Sequence, residues 1–319
     1  MKRRVLGLLP ALVLALVLIA GCGGGSQTLI ILHAGSLAVP FDEMGAAFVK
    51  QHSGVHFVTE GAGSRTTIRK VTELGKEADV IGSSDYLAIE ELMLPDWADW
   101  YIIFATNEMV IAYTKNSKYH EEITAGNWYE ILLRDGVDYG HSDPNADPCG
   151  YRTLMLWQLA EIYYDVPGLY RDLDDGCPKK NIRPKETDLI AILQSGDLDY
   201  AFEYRSVAVQ HDLLYLPLPD EIDLSDFGLA DYYAQAQVEV SGKEPGRTTT
   251  LIGAPIAYGV TIPKNAPHPQ LAIDFVEFLL GSEGQAILQN CGQSPVVPAI
   301  ASDLTKLPPK LEDLVAPGK

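Results

Sequence analysis

The sequence predicts an α/β protein built as two lobes. Three observations carry that reading. A strand, a glycine-serine loop and a helix follow one another three times between residues 29 and 93. After the apolar run Met109–Tyr113 the same kind of unit starts again. The chain is 319 residues long, which is large for one hydrophobic core and comfortable for two.

The elements follow in order. Leu29-Ile30-Ile31-Leu32 is a short apolar run, as expected of a buried parallel strand. Ala34-Gly35-Ser36 comes next, then helical spacing of Leu37, Phe41, Met44 and Phe48. Val55–Val58 is the second strand, and Glu60-Gly61-Ala62-Gly63-Ser64 opens a helix through Ile68, Val71 and Leu74. Asp79–Ile81 is the third, with Gly82-Ser83-Ser84-Asp85 capping a helix that carries Leu87, Leu92 and Met93. Ligands of such sheets sit beyond the carboxyl ends of the strands, where these loops gather.

The second set begins after Tyr113. Trp128–Leu133 is helical, Tyr139–His141 a short strand, and Thr153–Tyr164 a helix with Leu154, Trp157, Leu159 and Ile162 apolar. Leu189, Ile192 and Leu193 lie on a helix ended by Gly196. Asp199–Phe202, Leu213–Pro217 and Ile256–Ile262 read as strands, and Leu271–Leu280 and Gln285–Leu288 as terminal helices. Residues 305–319 are expected to lie loosely over a surface. This places residues 28–113 and 257–319 in a first lobe and 114–256 in a second. Crossing strands near Ala112–Lys115 and Ala257–Ile262 would form the hinge. One large doubly wound domain is the alternative. A hinge between lobes favours a ligand that binds in the cleft.

The N-terminus locates the protein. Lys2, Arg3 and Arg4 precede an apolar run from Val5 to Ala20 that ends in Ile19-Ala20-Gly21-Cys22. Residues 1–22 therefore read as a lipoprotein signal peptide, with Cys22 as the lipidated residue, and 23–27 as a flexible linker. An ordinary cleaved signal or a single membrane anchor is the alternative. Export to the outer face of the cytoplasmic membrane, or to a periplasm, with contact to the membrane through lipid only, excludes most cytosolic enzymes.

Composition agrees. Hydrophobic residues make up 47% and charged residues 21%, so a packed core is expected. The formal charge of −19 disfavours nucleic acid and anionic headgroups as partners. Cys149, Cys177 and Cys291 are either buried thiols or include a Cys149–Cys177 bridge. The seven histidines are scattered without metal-ligand spacing. Cys149-Gly150 is a thiol at a helix start, but only His141 is near in sequence, and no nucleophile elbow or phosphate loop occurs; the chain does not read as an enzyme.

Two loops suit an anion. Gly35-Ser36 and Gly63-Ser64 each set a glycine and a hydroxyl before a helix, where unpaired N–H groups and the positive end of the dipole face outward. Plain N-capping is the alternative for each. Asp147 stands just before the Thr153 helix and has the reading of a cap, and Asp143 that of a turn. Glu203 ends the apolar run Asp199–Phe202 and precedes Tyr204-Arg205-Ser206; it is either in the cleft or paired with an arginine.

Several segments together resemble the tungstate/molybdate-binding proteins of the archaeal-type ABC transporter. They are Gly35-Ser-Leu-Ala-Val-Pro-Phe41, Glu60-Gly-Ala-Gly-Ser64, Asp143-Pro-Asn-Ala-Asp-Pro-Cys-Gly-Tyr-Arg152, Ile182-Arg-Pro-Lys185 and Asp199-Tyr-Ala-Phe-Glu-Tyr-Arg-Ser-Val-Ala208. The resemblance runs from about residue 28 to 300. It implies the type II periplasmic-binding-protein fold, with parallel-sheet lobes joined by two crossing hinge strands. It also implies that two carboxylates complete a distorted octahedron around the metal of the bound oxyanion. By motif position these are Asp147 and Glu203. Ser36 and Ser64 supply hydroxyls, and the Cys149 backbone N–H is a further donor. The segment around Cys177 is shorter than in the family pattern, so Glu203 is matched through Phe202-Glu203-Tyr204. The oxyanion is the ligand, no cofactor is implied, and the partners are an ABC-transporter permease and no second copy of the chain. The pairs Tyr163-Tyr164 and Tyr232-Tyr233 keep a ferric-ion binder of the same fold as one alternative, and a sulfate or phosphate binder is another.

Overall fold

The computed structural model describes residues 26–244 and 246–318. The signal segment 1–22 with Cys22, and linker residues 23–25, lie outside the described residues. Among the described residues no helix is long and apolar enough to cross a membrane.

The first sheet starts from β1 (Gln27–Ala34), β2 (Val55–Ala62) and β3 (Val80–Ser83), separated by helices α1 (Ala38–Gln51) and α2 (Ser64–Thr72). A third helix, α3 (Tyr86–Met93), follows β3. The β1 run is apolar because it is covered on both faces: Ile31 on one face and Leu32 on the other are both buried, as are Leu37, Phe41, Met44 and Phe48 on the inner face of α1. β1 pairs in parallel with β2 and β3, which is the strand–helix–strand geometry that the sequence predicts. Two further strands, β4 (Ile102–Thr106) and β5 (Met109–Tyr113), come next in the chain, but they part company.

The second sheet contains β5 with β6 (Tyr139–Ser142), β7 (Ile182–Arg183), β8 (Tyr200–Tyr204) and β9 (Leu214–Pro217) in the order β7-β6-β8-β5-β9. Its helices include α4 (Trp128–Leu132), α5 (Pro148–Tyr163), α6 (Leu169–Gly176), α7 (Asp188–Ser195) and α8 (Arg205–Gln210). A hairpin of β10 (Gln237–Ser241) and β11 (Thr248–Ile252) stands apart as a two-stranded sheet. The chain then returns to the first sheet with β12 (Ala257–Thr261), β13 (Ser294–Ala301) and β14 (Val315–Pro317), giving the order β14-β13-β4-β12-β3-β1-β2.

Three expectations change. The run Met109–Tyr113 pairs with β8 and β9, not with the first sheet, so the chain crosses at Asn107-Glu108 and not at Ala112–Lys115. An apolar run reads the same in either sheet, and only its pairing decides. The sheets are mixed: β12 runs antiparallel to β3 and β4, and β5 antiparallel to β8 and β9. These are the strands beside the crossings, where the chain enters against the direction of the parallel set. The C-terminal segment also extends the first sheet, because β14 pairs with β13 through Ala299–Val315 and Ala301–Pro317.

The two lobes meet through hydrogen bonds. Thr66 N–H donates to Ala146 C=O at 3.2 Å, and Arg69 donates to Asn145 C=O at 3.1 Å. Arg65 and Arg69 both reach the Ser241 carbonyl at the tip of the hairpin, at 2.6 and 2.7 Å. A short helix start of one lobe thus faces the Asp143–Cys149 loop of the other.

Candidate functional site

The turn after β1 brings Ser36 to the cleft. Its hydroxyl oxygen accepts from Tyr258 Oη at 3.0 Å, and Tyr258 Oη in turn accepts from Asn107 Nδ2 at 2.8 Å. A hydroxyl has one proton and two lone pairs. With Tyr258 donating to Ser36, the Ser36 O–H is left to donate into the cleft. Two glutamine amides, Gln293 at 2.9 Å and Gln210 at 3.3 Å, hold the Ser36 carbonyl and fix the turn.

Ser64 begins α2 directly after β2 and is fully buried. Its oxygen accepts from Ser84 N–H at 3.0 Å and lies 3.1 Å from Ser84 Oγ. The preceding Gly63 is required by close approach. A Cβ there would stand 2.8 Å from Asp147 Cβ and against the Ala146 carbonyl, both in the other lobe.

Asp147 is the N-cap of α5. Its Oδ1 accepts from Cys149 N–H at 3.3 Å, and Pro148 occupies the first helical position, where a missing N–H costs nothing. The helix therefore starts five residues earlier than the predicted Thr153. The cap reading of Asp147 is correct, but it is not the whole account. Its Oδ2 accepts from the backbone N–H of Glu186 at 2.9 Å.

Glu186 was not among the expected site residues. It follows Arg183-Pro184-Lys185 just ahead of α7, where a carboxylate reads as an ordinary helix-start acid. Its Oε1 crosses to the first lobe and accepts from Ser36 N–H at 2.5 Å. A Cβ on Gly35 would stand 2.8 and 2.9 Å from the two Glu186 carboxylate oxygens, so a larger residue here would displace that carboxylate. The second oxygen, Oε2, is buried without a hydrogen-bond partner among the described residues.

Glu203 sits in β8 opposite Val110 of β5 and is fully buried. Neither of its carboxylate oxygens has a hydrogen-bond partner among the described residues, which removes the arginine-paired alternative. Arg205, the nearest cation in the motif, instead pairs with Glu108 at 3.0 Å, and Arg152 bonds Tyr204 Oη and the Ser84 carbonyl, each at 2.7 Å.

Three carboxyl groups thus share one buried region. Burial pushes Glu186 well above the usual carboxyl range, and the neighbouring Asp147 charge pushes it further. Burial and then Asp147 do the same to Glu203, and burial raises Asp147 itself. The Cys149 thiol is pushed up, by burial first and by Glu203 next, so it is no activated nucleophile. The site thus sets buried carboxyl groups beside the helix-start N–H groups of Ser36 and Cys149.

Other expectations resolve simply. Cys149, Cys177 and Cys291 are free thiols; Cys149 Sγ lies 3.6 Å from Phe202 C=O and Cys177 Sγ 3.6 Å from Tyr139 C=O. Tyr164 and Tyr233 each donate to a backbone carbonyl, Ala125 and Asp220 respectively, at 2.5 Å. Tyr163 and Tyr164 stand at the far end of α5, about 22 Å of helix from Cys149.

The profile of a family described as bacterial extracellular solute-binding protein matches residues 29–292. An uncharacterized solute-binding protein of Petrotoga mobilis is 54% identical over 290 aligned positions, covering 91% of this chain and 90% of that protein. The molybdate/tungstate-binding protein WtpA of Thermococcus kodakarensis is 43% identical over 350 aligned positions, covering 98% and 97%. Among solved structures, the periplasmic molybdate-binding protein of Azotobacter vinelandii superposes with a TM-score of 0.60 at 16% identity, covering 83% of this chain and 98% of that one. That likeness gives the fold: a two-lobed periplasmic binding protein.

Proposed function

The chain belongs to the bacterial extracellular solute-binding protein family, an extracytoplasmic family that binds rather than catalyses, and from that premise we propose that it captures tungstate or molybdate between its lobes and delivers it to an ABC transporter. The observation that carries the reading is the chain of contacts in which Asp147 accepts from the Glu186 N–H and the Glu186 carboxylate accepts from the Ser36 N–H, beside buried Glu203.

The chemistry is specific. An oxyanion beside a carboxylate is repelled by about 4 kcal/mol for each unit-charge pair at ~4 Å and an effective dielectric of 20. A hexavalent tungsten or molybdenum centre offsets this by accepting carboxylate oxygens directly. Sulfur does not expand to six oxygen ligands, so sulfate meets only the repulsion. Phosphate is excluded in the same way unless protonated.

The roles divide between the lobes. Ser36 and Ser64 direct hydroxyl protons at the oxo groups, with the N–H groups of Ser36 and Cys149 beside them. Asp147 and Glu186 are the carboxylates we assign to the metal. Motif position gave Glu203 that role. We prefer Glu186, because its Oε1 already crosses to the Ser36 amide of the other lobe. Glu203 is buried beside the pair, with neither carboxyl oxygen hydrogen-bonded among the described residues. Lipidation at Cys22, a single-chain working unit and a permease partner belong to the same reading.

Calorimetric titration of the apo-protein with tungstate, molybdate, sulfate and phosphate tests it. Tight binding of the first two alone is expected, with six oxygen neighbours around the metal by X-ray absorption. Equal binding of sulfate, or a four-coordinate metal, would overturn it.

A further inference from the structure

A second set of buried contacts joins the lobes beside the site, centred on Asp85. This residue ends the turn after β3 in the first lobe and caps α3, with Leu87 N–H donating to Oδ1 at 3.1 Å. Its other oxygen, Oδ2, accepts from Tyr151 Oη, on the first turn of α5 in the second lobe. Arg152, next along that turn, places Nη2 3.4 Å from Asp85 Oδ1 and donates through Nη1 to the Ser84 carbonyl at 2.7 Å. All three side chains are at most 4% exposed as residues.

Position gives these contacts a consequence. Ser84 on the first-lobe side donates its N–H to Ser64 Oγ. On the other side, the same turn of α5 carries Asp147 and Cys149. The Asp85 contacts therefore fasten the loop that orients one ligand hydroxyl to the helix start that bears a ligand carboxylate. None of the three side chains is required to touch the ligand.

We propose that Asp85, with Tyr151 and Arg152, is an inter-lobe clasp that sets how long the cleft stays shut without choosing what it holds. The clasp is a positioning device, and it rests on the oxyanion-binding reading only for the identity of the ligand. A buried aspartate facing an arginine and a tyrosine hydroxyl across two lobes can form only when they close, because none of the partners shares a lobe with it. Breaking it should leave each lobe intact. Asn at position 85 can still cap α3, since asparagine is as good an N-cap as aspartate.

Asp85→Asn and Tyr151→Phe test it by stopped-flow release of tungstate and by solution scattering. Release should quicken roughly 10- to 100-fold in Asp85→Asn, within the usual range of coupling between sites, and less in Tyr151→Phe. Association rates and the tungstate-to-molybdate affinity ratio should stay within about threefold of wild type, and the radius of gyration should rise in both variants with unchanged far-ultraviolet dichroism. Unchanged release and unchanged scattering in both variants would overturn the clasp, as would a shift of the affinity ratio beyond that range. If wild type binds no oxyanion, the functional reading fails by itself. The clasp is then decided by scattering alone, with equal radii of wild type and variants as the overturning result.

Discussion

Glu186 Oε1 lies 2.5 Å from the Ser36 amide nitrogen, so a carboxylate of the second lobe caps a helix start of the first. A helix start is where an anion is best held, and here the protein offers its own. An oxo group accepting from the Ser36 N–H competes with that carboxylate for one donor. The conflict ends if the carboxylate turns to the metal. On the proposed function, one residue then both bridges the lobes and selects the ligand.

Carboxamide substitutions follow directly. On the proposed assignment, Glu186→Gln and Asp147→Asn each delete a metal ligand and a group that can carry negative charge. Tungstate and molybdate should weaken by about 1.5–3 kcal/mol or more, the scale for contacts to a charged group. Sulfate should weaken less, or bind better. Glu203→Gln should keep six oxygen neighbours in X-ray absorption. If Glu203→Gln drops the coordination number and Glu186→Gln does not, the motif-derived assignment is the right one.

Neutral donors should behave differently. Ser36→Ala and Ser64→Ala remove hydrogen bonds that any oxyanion can use, so all should weaken together by about 1–3 kcal/mol. Tyr258→Phe leaves the Ser36 hydroxyl in place but removes the donor that directs its proton. Its effect should be smaller and equally unselective. Titration of the three variants with tungstate and sulfate checks this, and a loss confined to tungstate would contradict it.

Much of this architecture was legible in the sequence, and the exceptions have physical causes. β1 was readable because burial on both faces leaves an apolar run, and the edge strand β2 through Val55, Phe57 and Val58. Asp85 capping α3 was readable because its side chain and helix start are neighbours in sequence. The membership of β5 was not, since pairing with β8 rests on residues ninety positions away, such as Val110 with Glu203. Ser36, Ser64 and Asp147 were visible as helix-start groups. Glu186 was not, because an acid ahead of a helix looks like a surface residue until Ser36 is placed against it. Tyr258 was hidden for the opposite reason: it sits in a strand as an ordinary aromatic, and only its hydroxyl contact with Ser36 gives it a role.

Membrane attachment is separately testable. One acyl chain holds a protein only marginally, whereas two give stable anchoring. A diacylglyceryl group on Cys22 would supply both. Mass spectrometry of membrane-extracted protein should find it, and Cys22→Ser should move the domain to the soluble fraction. Wild-type protein in the soluble fraction with an unmodified N-terminus elsewhere would refute the anchor.

Asp223 supplies a pH prediction outside the ligand site. It is 4% exposed, its Oδ1 accepts from Ser225 N–H at 2.8 Å, and the next residue, Leu224, accepts from Ile256 N–H on the returning crossing. Burial raises its carboxyl to about 7, with Glu108 and Asp220 adding to the shift against the Ser225 contact. In the unfolded chain it titrates near the ordinary value of about 4. Between those values the folded protein holds a proton that the unfolded chain has lost. Stability from this group is therefore full below about pH 4 and falls as pH rises towards 7. Asp223→Asn cannot ionise and escapes the loss. Its melting temperature relative to wild type should climb between pH 4 and 7 and level off above. Parallel melting curves across that window would show that Asp223 ionises in the fold as it does in water.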